Sequence, residues 1–177
     1  KKHLVVLALI VTAISCKKKP VETDNIFKYR DYISYTTSGV VSVQSTIRIN
    51  LAKDVEGWEV EQELDAGLIK TQPYIQGTLK LANTHPIVFT PDEALEPATV
   101  YGITIKLGDI YKDVLQEFSS YTFEFKTITP SFTIMTNNLQ SYSKEWQYVL
   151  GQLRSSDVIS LDDAKQLVTA KQDKKEL

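Results

Sequence analysis

Between residues 26 and 129 apolar side chains recur at every second position, and that period dictates what the chain can fold into. In residues 45–51, Ile47, Ile49 and Leu51 share one side while Thr46, Arg48 and Asn50 share the other. Residues 101–107 repeat the pattern with Tyr101, Ile103, Ile105 and Leu107, and residues 121–127 with Tyr121, Phe123 and Phe125. Residues 58–64 follow it more loosely, with Glu59, Glu61 and Glu63 set outward. Shorter runs stand at 29–36, 77–82 and 87–89. Period two places alternate side chains on opposite faces of a strand, so each run predicts a half-buried strand. Turn-forming residues separate the runs: Thr37-Ser38-Gly39, Ala52-Lys53-Asp54, Asn83-Thr84-His85-Pro86 and Pro91-Asp92-Glu93. About seven short strands in roughly a hundred residues predict an all-β chain, an antiparallel β-sandwich of immunoglobulin type. No helical period interrupts them, which excludes a βαβ arrangement. Pro97 shortly before Tyr101 predicts a tyrosine corner, in which the phenol bonds back to the loop backbone.

Beyond Pro130 the pattern changes. Residues 131–135 and 145–150 read as strands, the second closed by Gly151. Ser160-Leu161-Asp162-Asp163 has the form of a capping box that opens a helix, with Leu161, Ala164, Leu167 and Val168 on one face. Two strands and a helix are too little for a self-sufficient core. Residues 131–177 are therefore expected to be the beginning of a truncated second domain, after a sandwich at 26–130.

The first residues carry a different signal. Lys1-Lys2-His3 precedes a mostly apolar run from Leu4 to Ser15, which ends at Cys16. A basic start and a short apolar run have the form of a secretory signal peptide at 1–15. At about 1.5 Å per residue the run is too short to cross a hydrocarbon core of roughly 30 Å. Ala13-Ile14-Ser15-Cys16 resembles a bacterial lipobox, which implies that Cys16 is the lipid attachment residue and the mature N-terminus. Residues 16–25, with Lys17-Lys18-Lys19-Pro20, then read as the lipidated Cys and a polar linker.

Composition removes most catalytic and binding classes. The formal net charge is −2, which argues against nucleic-acid binding through a basic face. Residues 26–130 hold nine Lys/Arg against fourteen Asp/Glu, net −5, with the excess in Asp54, Glu56, Glu59, Glu61, Glu63 and Asp65. These acids alternate with apolar residues, as on a solvated strand face, and lack the close spacing of a calcium loop. One cysteine rules out a disulfide framework and a multi-cysteine metal site. With His3 inside the signal, any Ser–His–Asp arrangement would need His85, and no G-x-S-x-G accompanies it. No phosphate loop and no H-E-x-x-H occurs. We therefore expect no catalytic residue, metal or cofactor. Tyr29, Tyr32, Tyr35, Trp58 and Tyr74 supply the ingredients of a carbohydrate-stacking platform, although strand-face and core roles explain them better.

The order of segments resembles a known family. Ile87-Val88-Phe89-Thr90-Pro91, Leu95-Glu96-Pro97, Thr99-Val100-Tyr101 and Tyr121 to Thr127 are similar to the bacterial Ig-like pattern F-x-P, L-x-P-x-T-x-Y, F-x-F-x-T. Residues 148–157 and the helix after them resemble the passage between the first two macroglobulin-like domains of bacterial alpha-2-macroglobulins. That resemblance implies a large envelope lipoprotein that traps proteases, in many members through a Cys–Gln thioester. With no C-x-E-Q here, it implies a non-enzymatic anchor and scaffold segment whose partners are the membrane, target proteases and other macroglobulin-like domains of the same chain. The location it implies is the bacterial cell envelope. The alternative is a surface glycan-binding or adhesion lipoprotein with a bacterial Ig-like domain.

Overall fold

The computed structural model describes residues 21–83, 85–172 and 174–176. The signal peptide expected at 1–15, Cys16 and the Lys17–Lys19 triplet lie outside the described residues. Nine strands build two packed sheets: β1 (Ile33–Thr36), β2 (Val40–Val41), β3 (Ile47–Leu51), β4 (Glu63–Leu64), β5 (Ile69–Gln72), β6 (Gly77–Leu81), β7 (Pro86–Pro91), β8 (Val100–Lys106) and β9 (Ser120–Thr127). One sheet runs β1-β3-β7-β6-β4 and the other β2-β9-β8-β5. Pairing is antiparallel apart from β2, which lies parallel to β9 through Val40 opposite Lys126. Alternation sets the inner faces: Ile47, Ile49 and Leu51 are 1%, 0% and 1% exposed, and Tyr101, Ile103 and Ile105 meet Phe125, Phe123 and Tyr121 across β8–β9. The all-β, immunoglobulin-like sandwich expected from the period is the observed architecture.

The tyrosine corner forms as the sequence predicts. Tyr101 Oη accepts from the Glu96 N–H at 2.9 Å, and the Glu96 carbonyl accepts from Thr127 Oγ1 at 2.7 Å. Thr127, fully buried, also takes the Thr99 N–H at 2.9 Å, so its hydroxyl is satisfied without water.

The polypeptide entering the sandwich is held to it. Thr104 and Thr122 face one another with hydroxyls 2.9 Å apart, while the Thr122 N–H and carbonyl are both taken by Asp24, at 2.7 Å each. Asp24 thus caps the β9 edge ahead of the point where β2 joins it. Val21 covers Gly102 on β8, where an added Cβ would lie 2.6 Å from the valine side chain.

Three local expectations are corrected. Residues 58–64 do not form one strand. Val55 to Gln62 turns instead, Glu61 takes a left-handed φ of 65°, and only β4 remains extended. The acids Glu59, Glu61 and Glu63 are solvated, but on a turn. Gly151 opens a strand instead of closing one: β13 (Gly151–Ser155) pairs with β10 (Phe132–Thr136), and Leu153 lies opposite Ile134. An apolar cross-strand pair of this kind selects the register. Residues 145–150 contribute only the short β12 (Gln147–Tyr148), paired with β11 (Gln140–Ser141). The capping box does form: Ser160 Oγ accepts from the Asp163 N–H at 3.1 Å and opens α1 (Leu161–Leu167). The chain then ends in a small ladder, β14 (Lys171–Gln172) with β15 (Lys175–Glu176). Among the described residues no helix is long and apolar enough to cross a membrane.

Candidate functional site

His85 sits at the surface with Nε2 3.4 Å from Asp54 Oδ1. Its carbonyl accepts from the Leu51 N–H, so its backbone serves the β3–β7 pairing. Among the described residues no group of three His, Cys, Asp or Glu side chains is placed to hold a metal ion. Of the five aromatic residues singled out in the sequence, Tyr29 is core, Tyr32 and Trp58 pack against it, and Tyr35 and Tyr74 are 49% and 82% exposed. Tyr74 borders a shallow surface cleft of about 290 Å³ with Gln76, Asp92 and Glu93. Tyr101 reaches the same cleft, but its hydroxyl is committed to the corner.

Groups with displaced pKa values report packing. Tyr29, Tyr111 and Tyr121 are all raised above 10.0, with burial the leading cause at each, and Tyr111 is pushed up to about 12. They belong to one aromatic end of the sandwich: Tyr29 stands 5.1 Å from Phe118 and 4.9 Å from Tyr121, and Tyr32 5.6 Å from Tyr111. A raised folded pKa keeps its stabilising contribution below the unfolded value of 10.0 and loses it as pH climbs towards 12. We expect spectroscopic tyrosinate titration to show a late phase, approaching pH 12, that Tyr111→Phe removes. A single phase for all nine tyrosines near pH 10 would contradict this.

The distinctive surface lies after Thr129. β10 and β13 form a two-stranded ribbon with a more apolar and a more polar face. One face carries Phe132, Ile134 and Leu153 with Thr136 and Ser155, and the other carries Thr133, Gln152 and Arg154 together with Met135. Phe132 and Ile134 are 44% and 53% exposed. The hairpin continues with Leu139, Tyr142, Trp146, Val149 and Leu150, each more than half exposed, and Leu161 on α1 is 71% exposed. Typical monomers expose a largest apolar patch of about 300–600 Å². Of the stripe expected from Leu161, Ala164, Leu167 and Val168, the first three lie on α1, whereas Val168 follows it in extended backbone, and Leu161, Leu167 and Val168 stay exposed. We call residues 131–176 the arm.

The arm meets the sandwich through Asp157, which follows β13. Asp157 Oδ1 accepts from Ser42 Oγ at 2.6 Å, and Oδ2 from the Val43 N–H at 2.8 Å. The Ser42 hydroxyl is the largest cause holding the Asp157 carboxyl below 3.8. Sequence reasoning passed over this pair, which lies 115 residues apart, and β2 was too short to be seen by period.

The family comparison agrees with this architecture. The family model described as "bacterial Ig-like domain" matches residues 34–127, from β1 to the end of β9. The chain belongs to the bacterial Ig-like domain family. As a member it contributes the sandwich fold, and the matched range stops short of the arm. Among solved structures it is similar to L,D-transpeptidase 3 from Mycobacterium tuberculosis in complex with a faropenem-derived adduct, at 13% identity and TM-score 0.39. That match covers 59% of this chain and 40% of the other. An L,D-transpeptidase from Mycobacterium tuberculosis H37Rv matches at 12% identity and TM-score 0.39, over 57% of this chain and 41% of that one. The chain thus spans about two-fifths of these structures. No curated protein matches.

Proposed function

We propose that this bacterial Ig-like chain is a non-catalytic anchor and scaffold segment of a lipid-anchored envelope protein. In this reading Cys16 holds the lipid, the sandwich is a rigid spacer, and the arm supplies the first strands of a second β-layered unit. The observation that carries it is the ribbon's uncovered apolar residues, with Phe132, Ile134 and Leu153 on one face and Phe132 and Ile134 44% and 53% exposed. Strands with one apolar face are stable when that face is covered by another layer. The occupant in this reading is a further β-domain of the same polypeptide. The finer reading is an alpha-2-macroglobulin-like protease inhibitor, supported by the resemblance of residues 148–157 and by the lipobox-like Cys16. In it this segment holds neighbouring domains in place and performs no chemistry.

The test is hydrogen exchange and Trp146 quenching in the longest natural polypeptide against the 177-residue chain. Trp146 is 71% exposed in this chain and reports the arm. We expect the arm amides to be protected and Trp146 to be shielded from acrylamide only in the longer protein. Equal exposure in both would remove the scaffold reading. A glycan-binding reading is favoured by one observation, the exposed Tyr74 ring beside hydrogen-bonding Gln76, Asp92 and Glu93. Oligosaccharide binding that disappears in Tyr74→Ala would support it instead.

A further inference from the structure

Two connections join arm and sandwich. Residues 128–131 are the covalent link from β9 to β10. Because β13 runs back antiparallel, the chain returns to the same end of the ribbon at Ser155, one residue pair from where it left. Ser156 closes the base of the ribbon: its N–H donates to the Ser131 carbonyl at 3.0 Å, and its Oγ accepts from the Ser131 N–H at 2.9 Å. Those bonds lie within the arm and would travel with it. Asp157 differs, because it reaches into the sandwich.

Three donors converge on the Asp157 carboxylate: Ser42 Oγ, the Val43 N–H and the Val158 N–H, at 2.6, 2.8 and 2.8 Å. The Ser42 hydroxyl accepts from the Gln44 N–H at 3.1 Å, which leaves its proton for Asp157. The Val43 carbonyl is in turn held by the Leu95 N–H at 2.8 Å, just ahead of the tyrosine corner. The gripped segment is therefore anchored in the sandwich and follows directly from β2. Among the described residues, the bonds from Ser42 and Val43 to Asp157 are the hydrogen bonds that tie the arm to the sandwich beyond the link.

We infer that Asp157 is a latch that fixes the direction of the arm: engaged with Ser42 and Val43 it holds the ribbon base against the end of β2, and disengaged it leaves the arm to pivot on residues 129–131, just beyond Ile128, whose N–H and carbonyl are both bonded into the sandwich. Each carboxylate oxygen faces a backbone N–H, Val158 at Oδ1 and Val43 at Oδ2, and two such donors require two acceptors, which an ionised carboxylate supplies. An amide places its own NH₂ against a donor, and an alkyl group leaves the Val43 N–H without its partner. The inference stands whatever covers the arm, since it concerns direction and not occupancy.

The experiment uses the 177-residue chain with Asp157→Ala, Asp157→Asn and Ser42→Ala. Site-resolved hydrogen exchange reads the Val43 amide, limited proteolysis reads residues 128–131, and a thermal melt reads the sandwich. Charge-assisted hydrogen bonds are strong enough that losing one should speed Val43 exchange by about tenfold or more. Asp157→Ala and Asp157→Asn are expected to do so and to cut faster at the link, while the melting midpoint stays within a few degrees. Ser42→Ala should give a smaller rise. Unchanged exchange and cleavage in Asp157→Ala would overturn the latch. So would faster exchange accompanied by a collapse of the melting midpoint, which would make Asp157 a residue of the sandwich's own stability.

Discussion

Phe125→Ala is expected to unfold most of the sandwich at temperatures where the parent is intact. Phe125 is 2% exposed on β9, the strand that pairs with both β8 and β2. It lies directly opposite Tyr101, with ring centroids 5.5 Å apart and planes inclined by 22°. Removing a buried Phe side chain costs about 3–5 kcal/mol, because the cavity adds to the lost transfer energy. Domains of this size have about 5–15 kcal/mol in total, and each kcal/mol moves the melting midpoint by roughly 4–8 °C. A fall of at least about 12 °C follows, and circular dichroism melts measure it. Tyr101 would also lose the ring that packs against it, and with it the support of the corner hydrogen bond to Glu96. Phe27→Ala is the control, since Phe27 is 80% exposed and should leave the midpoint almost unchanged. Equal midpoints for the two variants would show that the inner faces of β8 and β9 do not carry the core.

The inner faces were legible because burial and period coincide there. Ile47, Ile49, Leu51, Tyr101, Ile103, Ile105, Phe123 and Phe125 all occupy the positions that alternation assigns. The tyrosine corner was legible for a different reason: Pro97 fixes the loop geometry four residues before the phenol that closes it. Residues 58–64 misled because alternation of charge with Trp58 and Val60 has the same period as a strand, yet Val60 is 53% exposed and finds no sheet to join. Period cannot report a two-residue strand such as β2, whose pairing is set by Gly39 and Val41 carbonyls reaching Lys126 and Ile128. The Asp157 clamp was invisible for a related reason. An acceptor and its donors 114 and 115 residues apart leave no local pattern, and an Asp after a strand looks like any other turn residue.

Cys16→Ala should abolish incorporation of labelled palmitate and release the protein from the membrane fraction. The apolar run from Leu4 to Ser15 ends at Cys16, and Cys16 is the one thiol in the sequence. Thioether attachment of a diacylglycerol therefore has a single acceptor. Acyl chains contribute about 0.8 kcal/mol per buried CH₂, and two chains make binding stable where one leaves it marginal. The effect of losing them is close to all-or-none. Lys17, Lys18 and Lys19 add about 1 kcal/mol each at an anionic surface at best, too little to hold the protein without the lipid. The path of the next residues adds a geometric expectation. Asp24 is fastened to Thr122, and Val21 lies on Gly102 of β8. With a lipid on Cys16 as proposed, five residue steps to Val21 would separate it from the sheet, a reach of at most about 18 Å at 3.3–3.6 Å per residue. A nitroxide placed at Thr104, beside Gly102 on β8, should then feel a headgroup-bound relaxation agent more strongly than one at Lys80 on the other sheet. Palmitate labelling that persists in Cys16→Ala would refute lipidation at this residue. Equal relaxation at Thr104 and Lys80 would refute the short tether and leave lipidation standing, so the two results separate the anchor from its geometry.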